Sequence, residues 1–390
     1  MFCINLDTTM MTSKERVHSA LQRKPTDRVP IFMWYHPQTA KRLARLLEIP
    51  AKYVPVAMGD DIRQTWVHNN YAMEGVVHEH DGDSHVDEWG IEWTRIGGFN
   101  QISEFPLAQS SERQVLQYRF PFDRINALVD LMKPVMESKD DYFVGCDVSP
   151  CVFEMYWRLR GMEETLTEIA LNPDLAHEML RRCTEFSLSL SETACQRFDL
   201  DWLWLGDDIA GQRSMLMNPD IWRQMVKPFL KQNAEVGKRH GLYIAFHSCG
   251  AIRPIIGDLI EIGVDVLNPI QCNCPGMNPL ELKKEFGKDL AFMGGVDTQG
   301  VLPSGTEHQV RKATAELLEG MTTHGGGYIF AASHTVPPET PNDNIFAIYD
   351  EAGITREEIF DRAAHIRKSL RQSECDQGIS LKADLTPGTN

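Results

Sequence analysis

The stretch Leu242-Tyr-Ile-Ala-Phe-His247-Ser-Cys249-Gly250 sets a short apolar run directly against a polar end rich in ligand atoms. A run this short suits a strand buried on both faces better than a helix. It is preceded by residues 219–240, where apolar positions recur at helical spacing. Working outward, the same kind of run recurs at 28–35, 53–58, 142–148, 202–205, 264–270, 290–293 and 328–332, making eight in all. Most are followed by a helical segment, as at 174–195 and 307–321. Strands separated by helices imply parallel pairing, and eight such units close naturally into a barrel. An open doubly wound sheet is the alternative, but no Gly-x-Gly-x-x-Gly follows the first strand or any later one.

The predicted fold is therefore α/β, a single (β/α)8 barrel over residues 1–371. The spacing breaks once, after the second run. Residues 78–96 read as a β-hairpin insertion, with a turn at His78-Glu-His-Asp-Gly-Asp83 and a strand around Trp89–Trp93. Residues 372–390 read as a flexible tail. Thr12-Ser-Lys-Glu15 predicts a capped helix start, a hydroxyl cap with an acid three residues on.

Composition excludes several function classes. The 390 residues carry 39 Lys and Arg against 55 Asp and Glu, a net charge of −16, with no basic cluster. Such a chain repels nucleic acid and anionic lipid. Mean hydropathy is −0.31, and no apolar run nears the roughly 18 residues that span a bilayer. Met1–Thr12 lacks the features of a secretory signal. Nine scattered cysteines do not make a disulfide scaffold. A cytoplasmic enzyme is expected, with cysteines more apt to be ligands than bridges.

In such barrels chemistry sits where strands end. The eight ends read Tyr35-His36, Asp60-Asp61, Asp147 with Glu154 and Tyr156 beyond, Asp207-Asp208, His247-Ser-Cys249, Asn268 to Gln271, Val296-Asp297 and Ser333-His334. A lone acid after a strand is ordinarily a helix cap; a polar group at all eight ends is hard to obtain from capping alone. His247 and Cys249 stand at i and i+2, so both can reach one ion. Imidazole plus thiolate is a zinc donor pair. A third ligand is needed, and His334, Cys272 and Cys274 are the candidates. Three ligands with an open fourth position would be a catalytic style of site. His78-x-His80 reads as a solvated turn, and Asp83-Ser-His85-Val-Asp-Glu88 lacks the glycine of a cobalamin-ligand motif.

Several stretches now fall together: Thr12-Ser-Lys-Glu-Arg-Val17 with Asp27-Arg-Val-Pro30, Leu159-Arg-Gly-Met-Glu163, Phe246-His-Ser-Cys-Gly250, Gly263-Val-Asp-Val-Leu-Asn-Pro-Ile-Gln271, Gly294-Gly-Val-Asp297, and Pro337-Pro-Glu-Thr-Pro-Asn-Asp-Asn344. In these the chain resembles the uroporphyrinogen decarboxylase superfamily, which includes zinc-dependent corrinoid methyltransferases. The resemblance implies one (β/α)8 barrel and two chemistries.

The decarboxylase branch clamps a polycarboxylate with arginines after the first strand. Here that segment is Met33-Trp-Tyr-His-Pro-Gln-Thr39, with none. Asp61, Tyr156 and His334 match its acid, tyrosine and late histidine. A pocket without the arginines lacks bidentate clamps, and a charge of −16 disfavours a polyanion further. The methyltransferase branch holds zinc with His-x-Cys and a later Cys. His247 and Cys249 match, and His334 stands near the third position. Replacing a thiolate by a neutral imidazole makes such a site more positive.

The favoured expectation is a zinc-dependent methyltransferase that moves a methyl group between a small substrate and a corrinoid, as methylcobalamin, carried by a separate protein. In that scheme His247, Cys249 and His334 hold zinc. Asp207 and Asp208 position substrate or orient a ligand, and Asp61 and Tyr156 remain catalytic candidates. His36, Gln271 and Asp297 line the pocket. A metal-free carboxy-lyase and a non-catalytic ligand-binding barrel are the alternatives, and an oligomer is left open.

Overall fold

The computed structural model describes residues 10–323 and 326–376. The chain forms two compact units. One comprises the chain up to Phe32, Asp61–Asp297 and Glu316–His334; the other comprises Met33–Asp60, Thr298–Ala315 and the chain from Thr335 onward. The strands, in chain order, are β1 (Ile62–Trp66), β2 (Ser84–Val86), β3 (Glu92–Ile96), β4 (Phe99–Glu104), β5 (Phe143–Asp147), β6 (Trp202–Gly206), β7 (Tyr243–His247), β8 (Val266–Ile270), β9 (Ala291–Val296) and β10 (Tyr328–Ala332).

The first unit is built on a parallel sheet in the order β1-β5-β6-β7-β8-β9-β10. Its two edges are joined through the segment around Ile31. Phe330 N donates to Pro30 O (2.8 Å) and Phe32 N to Phe330 O (3.1 Å), while Asp61 N donates to Ile31 O (2.8 Å). That short bridging segment takes the place of the first expected strand and makes this an α/β barrel, as the run count predicts. Strands β5, β6, β8, β9 and β10 are buried at every residue. That explains their continuous apolar sequences.

The second expected strand is corrected. Residues 53–58 are helical: Ala51–Tyr53 is a 3-10 turn and Val54–Met58 an α-helix. Pro55 sits in the first helical turn, and Gly59 ends it at φ +84°. The true strand is β1, Ile62-Arg-Gln-Thr-Trp66, one segment later and too polar to read as a buried run. Its polarity has a structural use. Gln64 lies in register with Gly145, which pairs in turn with Trp202. Trp202 Nε1 donates to Gln64 Oε1 (2.8 Å), and Gln64 Nε2 donates to Asp147 Oδ2 (3.1 Å). The expected capping box is present: Glu15 N donates to Thr12 Oγ1 (3.2 Å), and Thr12 N to Glu15 Oε2 (2.9 Å).

The insertion is larger than a hairpin. β2, β3 and β4 form a three-stranded antiparallel sheet that extends to Glu104. Asp87 organises it, accepting from Trp93 Nε1 (2.8 Å), from the peptide N–H groups of Trp89 and Ile91, and from Asn69 Nδ2 (2.6 Å).

In the second unit His36 caps the helix Pro37–Leu47, its Nδ1 accepting from Gln38 N (3.2 Å). Buried Asp60 accepts from Tyr349 Oη (2.8 Å) and from Met33 N (3.1 Å). The helix Arg356–Asp376 runs past Gln372, where a tail was expected; residues 377–390 lie outside the described residues. No described helix is long and apolar enough to cross a membrane.

Candidate metal centre

His247 is the last residue of β7 and pairs in register with Asn268 of β8. That register sets the imidazole. Its Nδ1 lies 2.7 Å from Asn268 Oδ1. An amide oxygen can only accept, so Nδ1 carries the proton and Nε2 offers its lone pair. Nε2 lies 3.6 Å from Cys249 Sγ.

The turn carrying Cys249 is held on both sides. Cys249 N donates to Asp208 Oδ1 (2.8 Å), and Gly250 N donates to Gln271 Oε1 (2.8 Å). Gly250 adopts φ +90°, and a Cβ there would stand 2.5 Å from Gly211 O. Only glycine fits both the dihedral and the approach.

His334 lies two residues beyond the end of β10, and its ring centroid is 6.1 Å from that of His247. One ligand atom from each of His247, Cys249 and His334 lies within 4.8 Å of the others. Tetrahedral zinc, at ~2.0 Å to nitrogen and ~2.3 Å to sulfur, spaces such atoms ~3.5 Å apart. Small side-chain rotations would suffice, so the donor set fits the ion. Among the described residues this is the group of three or more metal-binding side chains that converges. Neither Cys272 nor Cys274 joins it.

The charges around the cluster are mainly negative. Burial pushes the Cys249 thiol well above its usual range, and Asp208, Glu154, Cys274 and Glu74 push the same way. A bound cation would reverse this and favour the thiolate. His334 is exposed at the edge of the cluster; desolvation by its surroundings, then the neighbouring His247, lowers its pKa, with Asp208 opposing, which favours the neutral imidazole that ligates metal. Asp147, buried at the end of β5, is raised to about 7, chiefly by burial, with Ser149 and His247 pulling it down.

The other expected site residues are scattered. Asp208 is at the cluster, with Oδ1 3.8 Å from His247 Nε2. Gln271 supports the Cys249 turn. Asp207 turns inward and accepts from Glu154 N (2.7 Å) and Phe153 N (3.1 Å), at the start of the helix Phe153–Arg160. Burial, with Glu154 nearby, raises Asp207 to about 8. Asp297 accepts from Asn273 Nδ2 (3.5 Å). His36 belongs to the second unit and serves there as a helix cap.

Two placements correct the expectation. Asp61 precedes β1 instead of ending a strand, so it stands at the opposite end of the sheet from His247. Both its oxygens are occupied by arginine: Arg16 Nη1 (2.6 Å) and Arg28 Nη2 (2.9 Å) to Oδ1, and Arg28 Nη1 (2.7 Å) to Oδ2. Tyr156 is buried, and its hydroxyl donates to Glu168. Burial, then Glu168, drives that phenol far above its normal range.

Sequence reading missed the partners. Asn268 was visible only as part of a strand end. Glu154 accepts from Asp208 N (2.9 Å) and pairs with buried Arg158, which also holds Asn69 (3.0 Å). His68 and Asn69, just past β1, went unread because that strand was misplaced.

A family model described as Uroporphyrinogen decarboxylase (URO-D) matches residues 125–353, more than half of the chain. The chain belongs to the uroporphyrinogen decarboxylase family. His247, Cys249 and His334 all fall within the matched span. This family member is similar to a methylcobamide:CoM methyltransferase, MtbA, of Methanosarcina mazei, at 20% identity over 336 residues, covering 82% of this chain and 94% of the relative. MtbA of Methanosarcina acetivorans is 18% identical over 334 residues, with the same coverage of 82% and 94%. A solved methyltransferase from Methanosarcina mazei matches with a TM-score of 0.66 at 18% identity, covering 88% of this chain and 99% of that one. The structural match shows the shared fold.

Proposed function

We propose that this family member is a zinc-dependent methyltransferase that moves a methyl group between a small substrate and a corrinoid carried by a separate protein. The observation that carries the reading is the convergence of His247, Cys249 and His334 within 4.8 Å at the strand ends. The names of its relatives in Methanosarcina support the same class.

His247, Cys249 and His334 would hold the ion and leave a position open. Zinc, when bound, supplies a Lewis acid that polarises the substrate heteroatom and lowers its pKa. The chain does the rest. Asn268 fixes the His247 tautomer, and Asp208 and Gln271 fix the turn bearing Cys249. Asp208, with 38% of its side chain exposed, is placed to take or return the proton of a substrate thiol or amine. The metal-free carboxy-lyase reading is weakened, because it relied on Asp61, and that carboxylate is bound by two arginines at the far end of the sheet.

The test is metal content followed by transfer. Purified protein should hold close to one zinc per chain, and His247→Ala and Cys249→Ser should each lose it. Methyl transfer from methylcobalamin to a small added thiol such as 2-mercaptoethanol, giving the methyl thioether and cob(I)alamin, would then be followed by absorbance in the wild type and should be absent in both variants. A wild type that neither contains nor takes up zinc sinks the reading.

A further inference from the structure

The β6–β7 ladder stops short of Cys249. Its last bond runs from Asp207 N to His247 O (3.0 Å). Beyond it the peptide N–H groups of Asp208 and Cys249 need acceptors from side chains. Cys249 N donates to Asp208 Oδ1 (2.8 Å), and Asp208 N donates to Glu154 Oε2 (2.9 Å). The other oxygen of Glu154 accepts from Arg158 Nη2 (2.5 Å).

Arg158 carries the connection onward. It is 1% exposed, and its Nη1 donates to Asn69 Oδ1 (3.0 Å). Asn69 Nδ2 donates to Asp87 Oδ2 (2.6 Å). The amide is thereby fixed, because reversing it would face NH2 to a guanidinium and oxygen to a carboxylate. Asp87 belongs to the inserted sheet, and Trp93 Nε1 and the peptide N–H groups of Trp89 and Ile91 also donate to it. Trp93 stands against the same guanidinium, its ring centroid 5.5 Å from Arg158 Cζ. Every member of this chain is buried or half-buried, where water competes least with such bonds.

We infer that the inserted three-stranded sheet is part of the metal centre, with Asp87, Asn69 and Arg158 as positioning residues that hold the Cys249 turn through the hydrogen-bonded series Asp87, Asn69, Arg158, Glu154, Asp208, Cys249. They act through Glu154 and Asp208. Only the zinc readout below rests on the methyltransferase reading.

Two substitutions break the series far from the ligands. Asp87→Asn keeps the shape but has one oxygen for the four donors, and turns its NH2 on some of them. Arg158→Lys keeps a charge for Glu154 but has no fork to span Asn69 as well. Thr94→Ala is the control: it removes the Thr94–Ser103 hydrogen bond (2.8 Å) of the same sheet and leaves the series intact. Amide hydrogen exchange of residues 247–251 is measured in metal-free protein, and zinc affinity by competition with a chelating dye. Asp87→Asn and Arg158→Lys should each speed that exchange and weaken zinc binding about tenfold, the lower end for residues that orient a ligand from behind. The double variant should lose no more than the worse single one, because both cut one chain. Thr94→Ala should match the wild type in both readouts. Asn69→Ala takes the place of Arg158→Lys if the lysine variant does not fold.

Losses that multiply in the double variant overturn the inference, as does unchanged exchange in Asp87→Asn or an equal effect of Thr94→Ala. The sheet would then supply stability alone. Exchange that responds as expected in protein that takes up no zinc sustains the inference and sinks the methyltransferase reading.

Discussion

At the scale of single residues, Asn268 shows how a backbone register becomes metal chemistry. Pairing of His247 with Asn268 across β7 and β8 puts an amide oxygen 2.7 Å from Nδ1. The ring is then turned and protonated on the correct side before any ion arrives. Asn268→Ala should weaken zinc binding about 10- to 100-fold without removing a ligand. Competition against a chelating dye checks this, and an unchanged affinity would show that the ring is held by other means. His247 and Cys249 were legible in the sequence because a His-x-Cys pair at the end of an apolar run is a local pattern, although Cys249 lies on the turn beyond β7 and reaches His247 through the hydrogen bonds of that turn and not by sharing a strand face. Asn268 was not, because its role depends on which strand lies beside β7 and in what register. Asp61 was misread for a related reason: a residue after an apolar run looks like a strand end only if the run is a strand.

At the scale of elements, residues 53–58 show the limit of reading apolar runs. A short run carries too few residues to separate a period of two from one of 3.6. Here Pro55 and Gly59 bracket a single helical turn. The strand that follows hid behind Arg63, Gln64 and Thr65, because barrel interiors can hold a polar layer when its partners are present. That layer needs Gly145. A Cβ at that position would lie 1.7 Å from Trp202 Nε1, inside a rigid and fully buried indole. Gly145→Ala should therefore either expel Trp202 from its bond to Gln64 or shift β5. The expected loss is at least ~1–3 kcal/mol of stability, the usual cost of overpacking a core. Denaturant unfolding measures it. A change within ~0.5 kcal/mol, the range of an innocuous surface substitution, would mean the interior layer is looser than described.

At the scale of the whole chain, the strand count predicted the barrel, but the second unit was out of reach. It gathers residues 33–60, 298–315 and the chain beyond 335, segments far apart in sequence with no shared local pattern. The metal cluster spans sequence in the same way. His247 and Cys249 come from the end of β7, while His334 follows β10, three places along the sheet. An ion held there binds the folded barrel and not the unfolded chain, where the same side chains are dispersed. Binding must then raise the unfolding free energy, by about 2.7 kcal/mol when free zinc is 100 times its dissociation constant. Chelation should lower the thermal midpoint of the wild type accordingly, and re-addition of zinc should restore it. The third ligand can be identified the same way. His334→Ala should lose most of the zinc-dependent shift, because two ligands hold the ion far more weakly than three. Cys272→Ser and Cys274→Ser should keep the shift, since neither thiol belongs to the converging set. The opposite pattern, with the shift surviving His334→Ala and vanishing in a cysteine variant, would move the third ligand to the loop after β8. The two strand ends joined by the ion would then be the adjacent β7 and β8.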